Sequence, residues 1–88
     1  MSPSNRRPLL IVDDNRALAD NLSEILDDAG YEVRIAASCS EALSDNKGFC
    51  VALVDVRLPD GDGIVLAGQL KARSPDSEVI LLTGYATL

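Results

Sequence analysis

The chain has 88 residues, 47% of them apolar, with 14 acidic and 8 basic side chains and a net charge of −6. That length and balance describe one small globular domain and exclude the basic footprint that nucleic acid or an anionic membrane requires. With no histidine and only two cysteines, Cys39 and Cys50, outside any CxxC pair, a disulfide framework and a thiolate–imidazole metal site are also excluded, and free thiols suit a reducing cytoplasm.

Residues 1–7 are polar and are expected to form a flexible arm ahead of a single domain over residues 8–88. Arg6 and Arg7 precede an apolar run in the manner of a targeting signal. Asp13 and Asp14 end that run far short of a signal core or a membrane span. The run itself, residues 9–12, is continuous and apolar, the pattern of a strand covered on both faces in a parallel sheet.

Leu18, Leu22, Ile25, Leu26 and Ala29 then fall on one face of a helix over residues 16–29, and Gly30 supplies its stop. Val33 and Ile35 alternate in a second strand over residues 31–37, nearer an edge. A shorter helix follows over residues 40–45. Residues 50–54 are apolar throughout and stop at Asp55. Pro59, Gly61 and Gly63 punctuate a turn over residues 58–63, with Asp62 as the cap of the next helix. Ile64, Ala67 and Leu70 mark that helix, which ends near Ser74 and Pro75, and residues 79–82 form another two-sided apolar strand. A further helix is expected to begin at about residues 86–88. The β-α-β-α-β-α-β alternation predicts an α/β fold, a parallel sheet with helices on both faces.

Three of these strands end in a polar group: Asp13 with Asp14, Asp55, and Thr83. In doubly wound sheets, ligands sit outside the carboxyl ends of the strands. If the strands are neighbours, three carboxylates share one cleft and raise one another's pKa, a penalty that a hard divalent cation with oxygen ligands removes. Mg2+ is the natural candidate, and phosphoryl transfer is the chemistry such a site suits. Asp55, alone at the end of the central strand, is the expected nucleophile. Asp14 is expected to ligate the metal directly and Asp13 directly or through water. The backbone carbonyl of Arg57 is the candidate neutral ligand. The Thr83 hydroxyl is the candidate hydrogen-bond donor to a bound phosphoryl group.

The blocks Leu10-Ile11-Val12-Asp13-Asp14-Asn15, Val54-Asp55-Val56-Arg57-Leu58-Pro59-Asp60-Gly61-Asp62-Gly63 and Leu81-Leu82-Thr83-Gly84 together resemble the response-regulator receiver domain of two-component signalling. The resemblance covers residue 8 onward. It implies a flavodoxin-like, doubly wound parallel sheet of order 2-1-3-4-5 and Mg2+-dependent phosphorylation by a sensor histidine kinase or phosphotransfer protein. On that pattern Asp55 matches the phospho-acceptor, Asp13 and Asp14 the acidic pair, and Thr83 the switch hydroxyl. The family's fourth helix, its fifth strand with a lysine and an aromatic switch residue, and its fifth helix have no counterpart in this sequence. Lys47 and Lys71 fall on other elements. The chain thus looks like the first two-thirds to three-quarters of the family's domain, with order 2-1-3-4 and the fifth strand missing. An exposed sheet edge at residues 79–82, dimerisation through it and an output domain outside this chain are the corresponding expectations.

Two rival readings compete with this one. A phosphatase of the haloacid dehalogenase type also joins an aspartyl nucleophile to Mg2+, but such enzymes resemble a D-x-D pattern where this chain has adjacent Asp13 and Asp14. A truncated receiver used only for association is the other. The acidic trio favours a phosphoryl acceptor that is not an enzyme, with at most slow self-dephosphorylation.

Overall fold

The apolar run that ends at Asp13 lies in the middle of the sheet, because both of its faces are apolar. The computed structural model describes residues 6–83. The helix expected at residues 86–88 and most of the N-terminal arm lie outside them. Strand β1 (Arg7–Val12) pairs in parallel with β2 (Tyr31–Ala36) on one side and with β3 (Val51–Asp55) on the other. β3 pairs in parallel with β6 (Glu78–Leu82), giving a four-stranded sheet of order β2-β1-β3-β6. This is the expected 2-1-3-4 order, with β6 as the fourth strand of the main sheet.

Alternate side chains of β1 supply the two cores. Leu9 and Ile11 pack with Ala19 of helix α1 (Arg16–Asp28) on one face. Leu10 and Val12 pack on the other with Ala36, Ala52, Val54, Ala42 of α2 (Cys39–Ser44), and Leu66 and Leu70 of α3 (Gly63–Arg73). Each fully buried Leu, Ile or Val contributes about 1.5–3 kcal/mol, so this stripe anchors the platform on which the strand ends stand. None of the described helices is long and apolar enough to cross a membrane.

The helices begin where local caps put them. Asn15 accepts a hydrogen bond from the Leu18 amide at 3.1 Å and opens α1, and Gly30, at φ +103°, takes the left-handed turn after its end. Asp62 accepts from the Ile64 amide at 2.8 Å, the capping role expected of it. Helix α2 starts at Cys39, one residue before its expected start. Ser38 accepts from the Glu41 amide at 3.1 Å while the Glu41 carboxylate accepts from the Ala37 amide at 2.9 Å, a capping-box-like pair in which the carboxylate reaches one residue beyond the cap. Arg7, assigned to the arm on polarity, is the first residue of β1 and pairs with Tyr31.

The stretch expected to be a plain turn is a small antiparallel hairpin, β4 (Arg57–Leu58) and β5 (Gly61–Asp62). Leu58 reaches the core from it, and its base closes through the Gly63 amide on the Val56 carbonyl at 2.8 Å. Gly63 passes so close to β3 that an added Cβ would stand 1.8 Å from the carbonyl oxygen of Asp55. Only glycine fits there without moving the peptide that follows the strand end.

Two glycines of α3 therefore respond oppositely to alanine. Gly63→Ala is expected to lower the unfolding free energy by about 3 kcal/mol or more. Gly68→Ala, whose added Cβ meets nothing within 4 Å, should raise it by about 0.5–1 kcal/mol. Urea denaturation of both variants checks this, and equal stabilities would contradict the close approach at Gly63.

Candidate functional site

The parallel order brings the ends of β1, β3 and β6 to one rim, and the acidic residues lie there. The Asp13 amide donates to the Ala36 carbonyl at 3.0 Å, prolonging the β1–β2 pairing by one residue, and the residue is 3% exposed. Its Oδ1 accepts from the Asn15 amide at 2.9 Å, which turns the chain toward α1. Asp14, next along, is exposed, and Asp55 is half-buried at the end of β3. Asp13, Asp14 and Asp55 each bring a carboxylate oxygen within 4.8 Å of the others.

The trio opens on a cleft of about 730 Å³ that is also lined by Asn15, Arg57, Leu82 and Thr83. Asp55 pairs across the sheet with Leu82, and the Val56 amide donates to the Leu82 carbonyl at 3.1 Å, so Thr83 follows directly on the same rim. Thr83 is exposed there. The Arg57 amide approaches Asp55 Oδ1 at 3.4 Å, a long contact that places the Arg57 peptide beside the carboxylate. All five residues singled out in the sequence, Asp13, Asp14, Asp55, Arg57 and Thr83, thus stand at one cleft.

Burial pushes the Asp13 carboxyl above its ordinary value. The Asn15 amide offsets part of this, and the charges of Asp55 and Asp14, with a hydrogen bond to Asp55, add to the rise. A raised pKa in a cluster of like charges is the electrostatic signature of a site that gains from a cation. The donor set fits one: hard carboxylate oxygens, few enough to leave positions for water and for the oxygens of a phosphoryl group. That is the manner in which Mg2+ is usually held.

The sequence offers either Asp14 or Asn15 as the cap of α1; Asn15 takes that role, and its backbone and side chain both organise the β1–α1 turn. Sequence reasoning missed the role of Asp60, which accepts from the amides of Cys39 at 2.8 Å and Ser40 at 3.0 Å. The signal for that contact is not local, because its partners lie on another element.

Residues 9–88 match the response regulator receiver domain family. The photosynthetic apparatus regulatory protein RegA of Rhodobacter capsulatus is 33% identical over 84 residues, which cover 93% of this chain and 46% of RegA. The chain therefore spans less than half the length of that relative. A CheY-like receiver domain protein from Methanospirillum hungatei superposes with a TM-score of 0.86 at 41% identity, over 94% of this chain and 68% of that one. A response regulator from Burkholderia pseudomallei, solved with a phosphorylated aspartic acid, a calcium ion and citrate, superposes with a TM-score of 0.83 at 34% identity. That match covers 93% of this chain and 49% of the other. The chain belongs to the response regulator receiver domain family and has its flavodoxin-like fold.

The raised Asp13 pKa sets a pH dependence in the metal-free protein. The folded state holds the Asp13 proton more tightly than the unfolded chain. Stability from this group is therefore highest in acid and declines as pH rises from the ordinary value of 3.8 through the raised one. Asp13→Asn, which keeps an acceptor for the Asn15 amide, should raise the thermal midpoint at neutral pH, with chelator present, by about 2–4 °C. Circular dichroism melts check this, and a lower midpoint for the variant would contradict the charge repulsion.

Proposed function

We propose that the protein is a phospho-accepting signalling module in which Asp55 takes a phosphoryl group from a phosphohistidine of a sensor histidine kinase or phosphotransfer protein. The observation that carries this reading is the gathering of Asp13, Asp14 and Asp55 within 4.8 Å at the strand ends. Among them Asp13 is sealed from solvent, whereas Asp55 is partly open to the cleft. An oxygen of the Asp55 carboxylate attacks phosphorus and forms the acyl phosphate. The P–N bond of the donor breaks, and its electron pair returns to the imidazole nitrogen. A bound Mg2+ would neutralise the phosphoryl oxygens and bring them to the carboxylate. Asp14 and Asp55 would hold it, with Asp13 directly or through water and the Arg57 carbonyl as the neutral ligand.

The Thr83 hydroxyl donates a hydrogen bond to the phosphoryl group in the loaded state only. That contact draws on the end of β6 and alters the surface offered to a partner. The module occupies residues 8–88, works in the cytoplasm and turns over only by slow self-dephosphorylation. Its output belongs to a segment outside this chain, as the greater length of RegA allows. Association through the β6 edge is a second reading. It is favoured by Ile80 and Leu81, which are 47% and 41% exposed on that strand.

Incubation with acetyl phosphate and Mg2+, followed by intact-mass spectrometry, should add one phosphoryl group to the wild type and none to Asp55→Asn. Undiminished labelling of Asp55→Asn would defeat the assignment. Removing Mg2+ with a chelator should cut wild-type labelling by at least about tenfold. Persistent labelling in chelator would remove the metal from the account. If the chain serves only for association, concentration-dependent sedimentation survives in Asp55→Asn while the wild type itself takes no label.

A further inference from the structure

The hairpin that follows the acceptor is tied at its tip to a helix outside the cleft. Asp60 sits in the turn between β4 and β5. One of its carboxylate oxygens accepts from the Cys39 amide at 2.8 Å and the other from the Ser40 amide at 3.0 Å. These are the first two amides of α2, which have no partner within the helix. The third, that of Glu41, is taken by Ser38 at 3.1 Å. The opening turn of α2 is thus satisfied jointly by its own cap and by a carboxylate 20 or 21 residues further along the chain. A negative charge is favoured at that end of a helix, and the amides of Cys39 and Ser40 hold the Asp60 carboxyl below the usual carboxylate range.

The hairpin needs this tie. It has only two paired positions, Arg57 with Asp62 and Leu58 with Gly61, and a ribbon that short has little stability of its own. Its base is closed at Gly63 and its middle by the buried Leu58; Asp60 fixes the tip. Between base and tip lies Arg57, whose amide faces Asp55 Oδ1 at 3.4 Å.

We propose that Asp60 is a positioning residue. By clamping the β4–β5 hairpin to the first turn of α2, it holds the Arg57 peptide beside Asp55 and so sets the affinity of the acidic cluster for a divalent cation. This inference rests on the reading of the cluster as a cation site. Removal of Asp60 frees the hairpin tip and leaves Asp13, Asp14 and Asp55 chemically intact, so the effect falls on cation affinity.

The test compares Asp60→Ala, Asp60→Asn and Ser38→Ala in the full chain, with Mg2+ as the probe. Isothermal titration gives the Mg2+ dissociation constant, and amide hydrogen exchange without metal reports on Arg57 and Leu58. Asp60→Ala should weaken Mg2+ binding about five- to tenfold and speed exchange at both amides. Asp60→Asn, with one acceptor oxygen for two amides, should fall between it and the wild type. Ser38→Ala removes a cap from the same helix turn without touching the hairpin. It should lower the thermal midpoint and leave the Mg2+ constant unchanged. Wild-type affinity in both Asp60 variants would overturn the proposal. Equal weakening in Ser38→Ala would overturn it as well, assigning the effect to α2 itself. Mg2+ binding by the wild type that Asp55→Asn leaves untouched would overturn the cation site, and the positioning role with it.

Discussion

The mutual repulsion of three carboxylates on the rim of a parallel sheet is the constraint around which this molecule is organised. Asp13 and Asp14 at the end of β1 and Asp55 at the end of β3 come within 4.8 Å of one another because their strands are neighbours in register. An arrangement of that kind is unfavourable in isolation. Burial first, and the charges of Asp55 and Asp14 after it, raise the Asp13 pKa, so the folded chain holds that carboxylate at a standing electrostatic cost. A perturbed carboxyl of this kind at a strand end, opening on a cleft, is the ground for treating the cluster as a candidate site. Relief of that cost by a cation would couple metal binding to stability, since any ligand of the folded state alone stabilises it by mass action.

The rest of the fold holds those carboxylates in place. Leu9, Leu10, Ile11 and Val12 bury the central strand on both faces, which fixes the height of Asp13. The backbone of α3 begins so close to Asp55 that only glycine fits at residue 63. Between those rigid parts lies a hairpin of two paired positions, held by a buried leucine, a backbone hydrogen bond and the reach of Asp60 to α2. The peptide beside the proposed acceptor therefore belongs mechanically to two elements.

Much of this was readable in the chain. The two-sided apolar runs point to a parallel sheet, the family resemblance supplies its strand order, and the acidic residues at the strand ends mark the candidate site, because that topology carries strand ends to a common rim. Asp62 and Gly30 act as their residue types suggest. The misplaced start of α2 was detectable, since Ser38 and Glu41 stand at capping-box spacing. Arg7 joins β1 because ladder pairing with Tyr31 continues past the apolar run, and hydropathy does not record that. The hairpin and the role of Asp60 were beyond local pattern. Strands of two residues take their shape from what they touch, and here that is the core and a helix 20 residues upstream.

Paramagnetic broadening by Mn2+, a hard oxygen-seeking ion, tests the convergence of the three carboxylates most directly. In a two-dimensional amide spectrum at substoichiometric Mn2+, signals of Asp13, Asp14, Asp55 and Arg57 should vanish together and first. Those of Glu24, Asp28 and Glu32, acidic residues away from the cleft, should persist. Loss centred on those distant residues, or spread evenly over all acidic positions, would contradict a single cation site at the strand ends.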